Sequence, residues 1–163
     1  MKHNHIIACI TALLCIVLIA LLVLLAVPAK AVPLEYETNL KWREDVPMSA
    51  ELQNSLLKVC EKHGIDPLLA LGLIETESGF VVDIVSPGGD YGLCQLNSLY
   101  FPTDLTPEEN LDAGLGLLAY NLKRYHGSVA AALTAYNRGH DDGSRTYANV
   151  VLEKAAKWGY DND

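Results

Sequence analysis

The chain has 163 residues, of which 12 are basic and 20 acidic, and half of its residues are hydrophobic. Lys2 and Lys30 are the only Lys, Arg, Asp or Glu residues before position 32, so residues 32–163 carry a formal charge of −10. Their length suits a single domain. Nucleic-acid binding is excluded, because basic side chains must neutralise phosphates to supply its affinity. The composition also argues against a cytosolic protein, a coiled coil and a disordered tail.

The N-terminal segment is strongly apolar. Residues 6–27 contain a single polar residue and would span about 33 Å as a helix at ~1.5 Å per residue, enough to cross a bilayer. Residues 29–31 (Ala-Lys-Ala) fit a signal-peptidase cleavage pattern, and Pro28 would break the helix just before them. We therefore expect residues 1–31 to be a membrane anchor or a cleaved signal peptide. Unless the segment inserts reversed, residues 32–163 are extracytoplasmic.

The four cysteines fall into two pairs by position. Cys9 and Cys15 lie in the apolar segment and have no expected partner there. Cys60 and Cys94 lie in the domain, where an oxidising compartment would allow them to pair. They could equally be buried free thiols, which behave as small apolar side chains. The sequence leaves both alternatives open, because it does not give the Cα separation that a disulfide requires.

The domain is predicted to be mainly helical. Residues 32–48 contain two prolines and mixed charge without periodicity, and are expected to be a linker before a domain at 49–163. Residues 80–105 are rich in Gly, Pro, Ser and Asp and are expected to form one long loop with at most a short helix. Capping residues and glycines predict five helices, running from Ser49 to His63, Asp66 to Gly79, Thr106 to Gly127, Ser128 to Gly139, and Ser144 to Gly159.

The second predicted helix ends in an unusual acidic pair. Residues 68–74 have no polar side chain, so this helix should be buried on all sides. Glu75 and Glu77 point about 200° apart and cannot form one paired-carboxylate site. Glu77 shares its face with Leu73 and Ile74 and stands at the negative end of the helix dipole, so its pKa should be raised. Such a carboxyl suits a general acid, unless it is simply solvated or paired with a lysine.

Four motifs occur in order along the domain. They are Glu77-Ser78-Gly79-Phe80, then Ser86 with Gly92-Leu93-Cys94-Gln95-Leu96, then Asn110 with Gly114, and finally Ala135-Tyr136-Asn137 followed by Gly139. Over about residues 49–158 the chain thereby resembles the catalytic domain of soluble lytic transglycosylases, which are related to goose-type lysozyme. The resemblance implies a lysozyme-like helical fold in which residues 80–105 form the active-site loop.

The resemblance also implies an activity. In that family a single glutamate protonates the β-1,4 bond between N-acetylmuramic acid (MurNAc) and N-acetylglucosamine (GlcNAc) in peptidoglycan. It then takes a proton from the 6-hydroxyl of the sugar, which closes a 1,6-anhydro ring without water. This chemistry explains a single carboxylate where other glycosidases use two. It needs no cofactor and no metal, and the spacing of His63, His126 and His140 fits no metal site.

The motifs imply roles for five residues. Glu77 would be the acid/base. Ser78 would sit in the sugar cleft or cap the end of its helix. Gln95 would hydrogen-bond substrate or make a backbone contact. Tyr136 would hold the Glu77 carboxyl through its hydroxyl, and Asn137 would contact sugar or brace the loop.

Departures from the family pattern leave alternatives open. Asp90 stands where alanine is common, and it would cap a turn or hold a water as a second carboxylate, as in a lysozyme-like muramidase. Leu117 replaces a frequent tyrosine, and Cys94 replaces a methionine. A non-catalytic wall-binding scaffold with the same fold is a further alternative. A thiol peptidase using Cys94 with His126 or His140 has little support, because nothing in the spacing brings these groups together.

The partners expected from this interpretation are few. Peptidoglycan strands are the substrate, and residues 6–27 contact the membrane if they are not removed. The sequence shows no second wall-binding module, so we expect targeting to come from the membrane segment or from a partner. Local opening of the wall for an envelope-spanning secretion or conjugation machinery fits such a chain.

Overall fold

The computed structural model describes residues 43–161, so residues 6–27, Cys9 and Cys15 lie outside the described part of the chain. Within residues 43–161 no helix is both long and apolar enough to cross a membrane. The mainly helical prediction is confirmed for these residues. The helices are α1 (Ala50–His63), α2 (Pro67–Glu77), α3 (Pro107–Arg124), α4 (Val129–Arg138) and α5 (Thr146–Trp158), and the strands are β1 (Asp90–Tyr91) and β2 (Leu96–Asn97).

Four of the five predicted helix starts are confirmed, because each depends on a local side-chain bond. The Ser49 hydroxyl accepts from the backbone of Leu52, and the Asp66 carboxylate accepts from that of the residue two positions later. Thr106 forms the predicted capping box at α3, and Ser128 caps α4. These bonds satisfy N–H groups that the first turn of a helix leaves without partners.

The fifth start and two helix ends differ from prediction. Ser144 does not cap α5, because its backbone N–H is held by the Asp142 carboxylate in the preceding turn, and the helix begins at Thr146. α3 ends at Arg124 rather than Gly127, where the amide of Gly127 closes back onto a carbonyl of the last turn. α2 ends at Glu77, two residues before the expected end at Gly79.

α2 lies at the centre of the core, as its apolar sequence predicts. Leu73 and Ile74 are completely buried. The helix packs closely on α5 at Gly72, where a Cβ would stand 2.6 Å from both the Cβ and the backbone nitrogen of Ala155. Only a glycine allows this approach of the two helices. The contact places the C-terminal end of α2 beside the first turns of α5.

The predicted long loop between α2 and α3 contains a small antiparallel ladder and no α-helix. Asp90 pairs with Asn97, and Tyr91 pairs with Leu96. Strands of two residues are too short to leave a periodic pattern in the sequence. The ladder is held to α3 by Asn110, a buried side chain whose amide accepts from the backbone of the ladder turn and donates to the carbonyl of Tyr91.

Residues 43–48, the part of the expected linker that the structure describes, belong to the folded domain. Val46 and Met48 are buried, and the Gln53 amide of α1 donates to the carbonyls of Arg43, Val46 and Met48. The Arg43 guanidinium lies 5.4 Å from the ring centre of Trp158. Residues 43–48 are therefore not a linker, because their carbonyls and apolar side chains are taken up by α1 and the core.

Cys60 and Cys94 are free thiols, and both are buried. Burial raises the pKa of Cys60 to about 12 and raises the pKa of Cys94 further. Of the two alternatives left open by the sequence, the structure shows the buried thiols.

Candidate active site

Glu77 is the last residue of α2 and faces a cleft of about 540 Å³. The cleft runs between the ladder, one face of α3 and the C-terminal end of α4. The residues that line it are Glu77, Asp90, Gln95, Leu96, Asn97, Tyr100, Phe101, Leu117, Tyr120, Asn121, Arg124, Ala135, Tyr136, Asn137, Arg138 and Gly139. The fold thus brings Glu77, Gln95, Tyr136 and Asn137 to one cleft from positions 60 residues apart in the chain.

The carboxyl of Glu77 has the protonation behaviour predicted from its position. Burial is the main cause that raises its pKa, to about 7, and the negative charge of Asp90 adds to the increase. A hydrogen bond from Tyr147 and the positive charge of Lys154 act in the opposite direction. A carboxyl with a pKa this far above its ordinary value can still carry a proton to donate near neutral pH.

The hydroxyl that holds Glu77 belongs to Tyr147, not to Tyr136. Tyr147 stands in the first turn of α5 and donates to Glu77 Oε1. The Tyr136 hydroxyl donates instead to the carbonyl of Cys94, over 2.8 Å. The predicted contact between Tyr136 and Glu77 is therefore wrong. Tyr136 reaches the loop beneath Gly114, where a Cβ would stand 3.2 Å from its hydroxyl.

Sequence reasoning missed Tyr147 because it lies 70 residues from Glu77. A usable signal was present in α5 itself. Tyr147, Val151 and Ala155 recur at intervals of four residues, and Val151 and Ala155 are completely buried. This spacing places the tyrosine on the inward face of the helix. The pattern indicates a buried hydroxyl that needs a partner, although it does not indicate which one.

Ser78 caps the end of α2 and is not among the residues that line the cleft. Its hydroxyl donates to the carbonyl of Ile74 over 3.0 Å and accepts from the backbone of Phe80 over 3.1 Å. Only 5% of Ser78 is exposed. Phe80 has a left-handed backbone with φ of 67°, and the bond from its N–H to Ser78 supports that turn. The capping alternative is the one observed.

Gln95 and Asn137 lie on the cleft in different ways. Gln95 has a left-handed backbone with φ of 46°, and its Nε2 donates to the carbonyls of Ile84 and Gly92. The backbone alternative is thus observed, and these two bonds leave Oε1 as the acceptor for a ligand. Asn137 has an exposed side chain at the end of α4.

The chain is similar to known proteins in family and in fold. The family model described as Transglycosylase SLT domain matches residues 55–158. The chain belongs to the SLT transglycosylase family. A transglycosylase of Enterobacteria phage PRD1 is 37% identical over 83 residues, which are 48% of this chain and 31% of the phage protein.

A solved structure shares the fold of this SLT domain. An inactive mutant of the lytic transglycosylase Slt from Pseudomonas aeruginosa superposes with a TM-score of 0.57 at 22% identity. The match covers 70% of this chain and 24% of that protein. The chain therefore spans less than a third of either relative, and the match to the Pseudomonas structure shows the shared fold alone.

Asp90 of the SLT domain braces the loop from the edge of the cleft. Its Oδ1 accepts from the Asn97 amide over 2.7 Å, and its Oδ2 accepts from the Ser86 hydroxyl over 3.3 Å. The Ser86 hydroxyl in turn accepts from the backbone of Gly88. The predicted turn role of Asp90 is therefore observed, and its charge also reaches Glu77.

A second hollow of about 440 Å³ lies on the other side of the loop. It is lined by residues 82–85 and by the start of α3, together with Tyr91 and Asn110. Glu77 does not reach it. Of these two hollows, only the larger one is lined by the carboxyl with the raised pKa.

Proposed function

We propose that the chain is a peptidoglycan lytic transglycosylase, which cleaves the β-1,4 bond between MurNAc and GlcNAc and leaves 1,6-anhydro-MurNAc ends. The observation that carries this proposal is the Glu77 carboxyl, buried at the cleft with a pKa of about 7 and held by a neutral hydroxyl. Membership of the SLT family supports it. The site therefore holds one carboxyl that can both donate and accept a proton.

Glu77 acts first as acid and then as base. The protonated carboxyl gives its proton to the glycosidic oxygen while the bond from C1 to that oxygen breaks. The resulting carboxylate then takes the proton of the 6-hydroxyl as O6 bonds to C1. Tyr147 orients the carboxyl and stabilises its charged form, because its hydrogen bond lowers the pKa of Glu77. No cofactor or metal enters these steps.

The internal hydroxyl removes the need for a second catalytic carboxylate. Asp90 is held on both oxygens by Asn97 and Ser86, which suits a structural brace better than a mobile base. Its position at the cleft nevertheless favours one second candidate, a lysozyme-like muramidase in which Asp90 directs a water to the same bond. Gln95 Oε1, Tyr136 and Asn137 are the groups on this wall that would contact the sugars.

A thiol peptidase is a much weaker proposal. Cys94 is completely buried, and its raised pKa leaves almost no thiolate to act as nucleophile. Full activity of the Cys94→Ser variant on peptidoglycan would rule out the thiol peptidase.

We further propose that the domain works outside the cytoplasm, where peptidoglycan lies, with residues 1–31 as anchor or signal. Local wall opening for an envelope-spanning secretion or conjugation machinery fits this placement. The phage relative is itself described as a transglycosylase. Membrane fractionation tests the first point, since an anchored chain stays in washed membranes at full length and a cleaved one is released shorter.

The activity is tested by incubating the purified full-length chain with peptidoglycan and identifying the products by mass spectrometry. Glu77→Gln is the test variant, and Glu75→Gln is the matched control two residues away. Anhydro-muropeptides that disappear only in Glu77→Gln are the expected result. Reducing-end products would establish the muramidase and turn attention to Asp90. A folded chain that binds the wall without cleaving it would favour the non-catalytic scaffold.

A further inference from the structure

Asn121 is a buried amide without a partner in the described part of the protein. It lies on α3, only 2% of it is exposed, and its Nδ2 has no hydrogen-bond partner among residues 43–161. It is also one of the residues that line the active-site cleft. An unpaired buried amide costs stability, so it calls for an explanation such as a ligand that supplies the missing partner.

Asn121 belongs to a face of α3 that leads away from Glu77. Gly114 lies seven residues earlier on this face, against the side chain of Cys94, whose thiol is near enough to Glu77 to be affected by its charge. Arg124 follows Asn121 by one helical turn and also lines the cleft. The ten residues from Gly114 to Arg124 correspond to about 15 Å along the helix. Asn121 and Arg124 therefore line the cleft about two and three helical turns along α3 from Gly114, which packs against Cys94.

Arg124 brings a positive charge that no carboxylate neutralises among the described residues. Its guanidinium donates to the carbonyl of Gly139 over 3.3 Å and lies 5.2 Å from the ring centre of Tyr125. Arg138, on the facing end of α4, is paired with Asp142 at 3.1 Å. A guanidinium without a carboxylate partner among the described residues, in the cleft of an acidic domain, suits a carboxylate on the ligand.

We propose that Asn121 and Arg124 form a subsite for the stem peptide carried by a muramoyl residue of the bound strand. The inference rests on the proposed function and specifies its substrate. The Asn121 amide pairs with a peptide group, and the Arg124 guanidinium binds a peptide carboxylate. Sugar hydroxyls and N-acetyl groups are neutral and give Arg124 no counter-charge. A muramoyl residue stripped of its peptide offers a lactyl carboxylate but no further peptide groups, which leaves Asn121 without its partner.

The test measures binding in the full-length Glu77→Gln chain, so that the ligands are not cleaved. Three ligands separate the sources of charge: glycan strands with stem peptides, strands freed of peptide by an amidase, and a chito-oligosaccharide without any carboxylate. Asn121→Leu and Arg124→Ala are the test variants. Lys123→Ala is the matched control, because Lys123 is an exposed basic neighbour that does not line the cleft.

The expected result is a loss of selectivity. The preference for peptide-bearing over peptide-free strands falls about tenfold in Arg124→Ala and in Asn121→Leu, and Lys123→Ala keeps the parent preference. Arg124→Lys recovers part of it, because the charge remains without the planar fork. The melting temperature of Asn121→Leu stays the same or rises, which separates a binding role from a structural one.

Three results would overturn the subsite. They are an equal loss of affinity for all three ligands, no loss in either variant, and a loss confined to peptide-free strands, which would assign the pair to the lactyl carboxylate. Failure of the proposed function gives a different result. In that case the chain with Glu77 intact releases no cleavage products, whatever the selectivity of binding.

Discussion

The two sides of the C-terminal end of α2 hold identical carboxyl groups in different surroundings. On one side, Glu75 accepts a hydrogen bond of 2.8 Å from the Trp158 indole and lies 4.0 Å from the Lys154 ammonium. On the other side, Glu77 faces the cleft with the neutral Tyr147 hydroxyl as its hydrogen-bond partner, and its pKa is raised to about 7. The side chains differ only in the direction in which the helix points them.

This difference shows how one helix end supplies both an anchor and a proton donor. Glu75 ties α2 to α5, because it accepts from the Trp158 indole and lies near the Lys154 ammonium. The residues around Glu77 exclude water, and its hydrogen-bond partner is a neutral hydroxyl and not a cation. α5 takes part on both sides, because it carries Lys154 and Trp158 for one carboxyl and Tyr147 for the other. The packing at Gly72 therefore supports the structural side and the chemical side together.

The largest expected effect comes from replacing Glu77 and Glu75 with glutamine, one at a time. Glu77→Gln should lower kcat/KM on peptidoglycan by about 10²–10⁴-fold, because the glutamine has no proton to give. Glu75→Gln keeps the bond from the Trp158 indole and should change kcat/KM by less than about threefold. Initial rates of soluble muropeptide release measure both variants. Similar losses in the two variants would mean that their roles do not differ.

The pH dependence of stability sharpens the same comparison. A carboxyl whose pKa is raised from 4.5 to about 7 in the folded protein binds protons more tightly there than in the unfolded chain. Its contribution to stability is therefore present at low pH and is lost as pH rises from about 4.5 to 7. We expect Glu77→Gln to gain about 2–3 kcal/mol over the wild type across this window. Urea unfolding at a series of pH values measures the gain.

Glu75→Gln is measured alongside as the control for replacing a carboxyl at the end of α2. A constant difference between Glu77→Gln and the wild type from pH 4 to pH 8 would contradict the raised pKa. Activity and stability would then have separate explanations, and the contrast between the two sides of α2 would lose its physical basis.

The contact between α2 and α5 at Gly72 can be disrupted by adding a single carbon atom. A Cβ added at Gly72 would stand 2.6 Å from the Ala155 backbone, which has little room to move, so Gly72→Ala should cost about 1–3 kcal/mol. Gly116→Ala is the matched control in another helix, because its Cβ would meet the movable His63 ring at 3.2 Å. That variant should remain within about 1 kcal/mol of the wild type. Thermal unfolding of both variants tests the contact, and an equally stable Gly72→Ala would refute it.

Local chemistry explains which parts of the fold were predictable. Ser49, Asp66 and Thr106 cap helices through bonds to residues two or three positions away, and such signals are complete within a short window. Ser144 does not cap its helix in this way. Its carbonyl accepts from Thr134 and Arg145, and its N–H donates to the preceding turn. The predicted cap of α5 is consequently one residue before the observed cap, Arg145.

The site shows the same division between local and long-range causes. The raised pKa of Glu77 followed from the apolar face of its own helix, which the sequence displays directly. The identity of its hydroxyl partner depended on how α2 packs against α5, and Tyr136 was chosen in place of Tyr147 for lack of that information. The buried, unpaired amide of Asn121 also became visible only once α3 was placed against its neighbours.

The smallest expected effect concerns the hydrogen bond that Tyr147 of α5 donates to Glu77. The Tyr147 hydrogen bond lowers the pKa of Glu77, so Tyr147→Phe should raise that pKa above its value of about 7. Since the acid must be protonated to act, kcat/KM falls on the alkaline side of this pKa, and the fall should move to higher pH in the variant. The maximal rate should also decrease by roughly tenfold, because the carboxyl loses the group that orients it. Tyr136→Phe removes a hydroxyl that binds the Cys94 carbonyl instead, and it should leave the midpoint of the alkaline limb nearly unchanged. A shift in Tyr136→Phe without one in Tyr147→Phe would return the orienting role to the tyrosine that the sequence motif indicated.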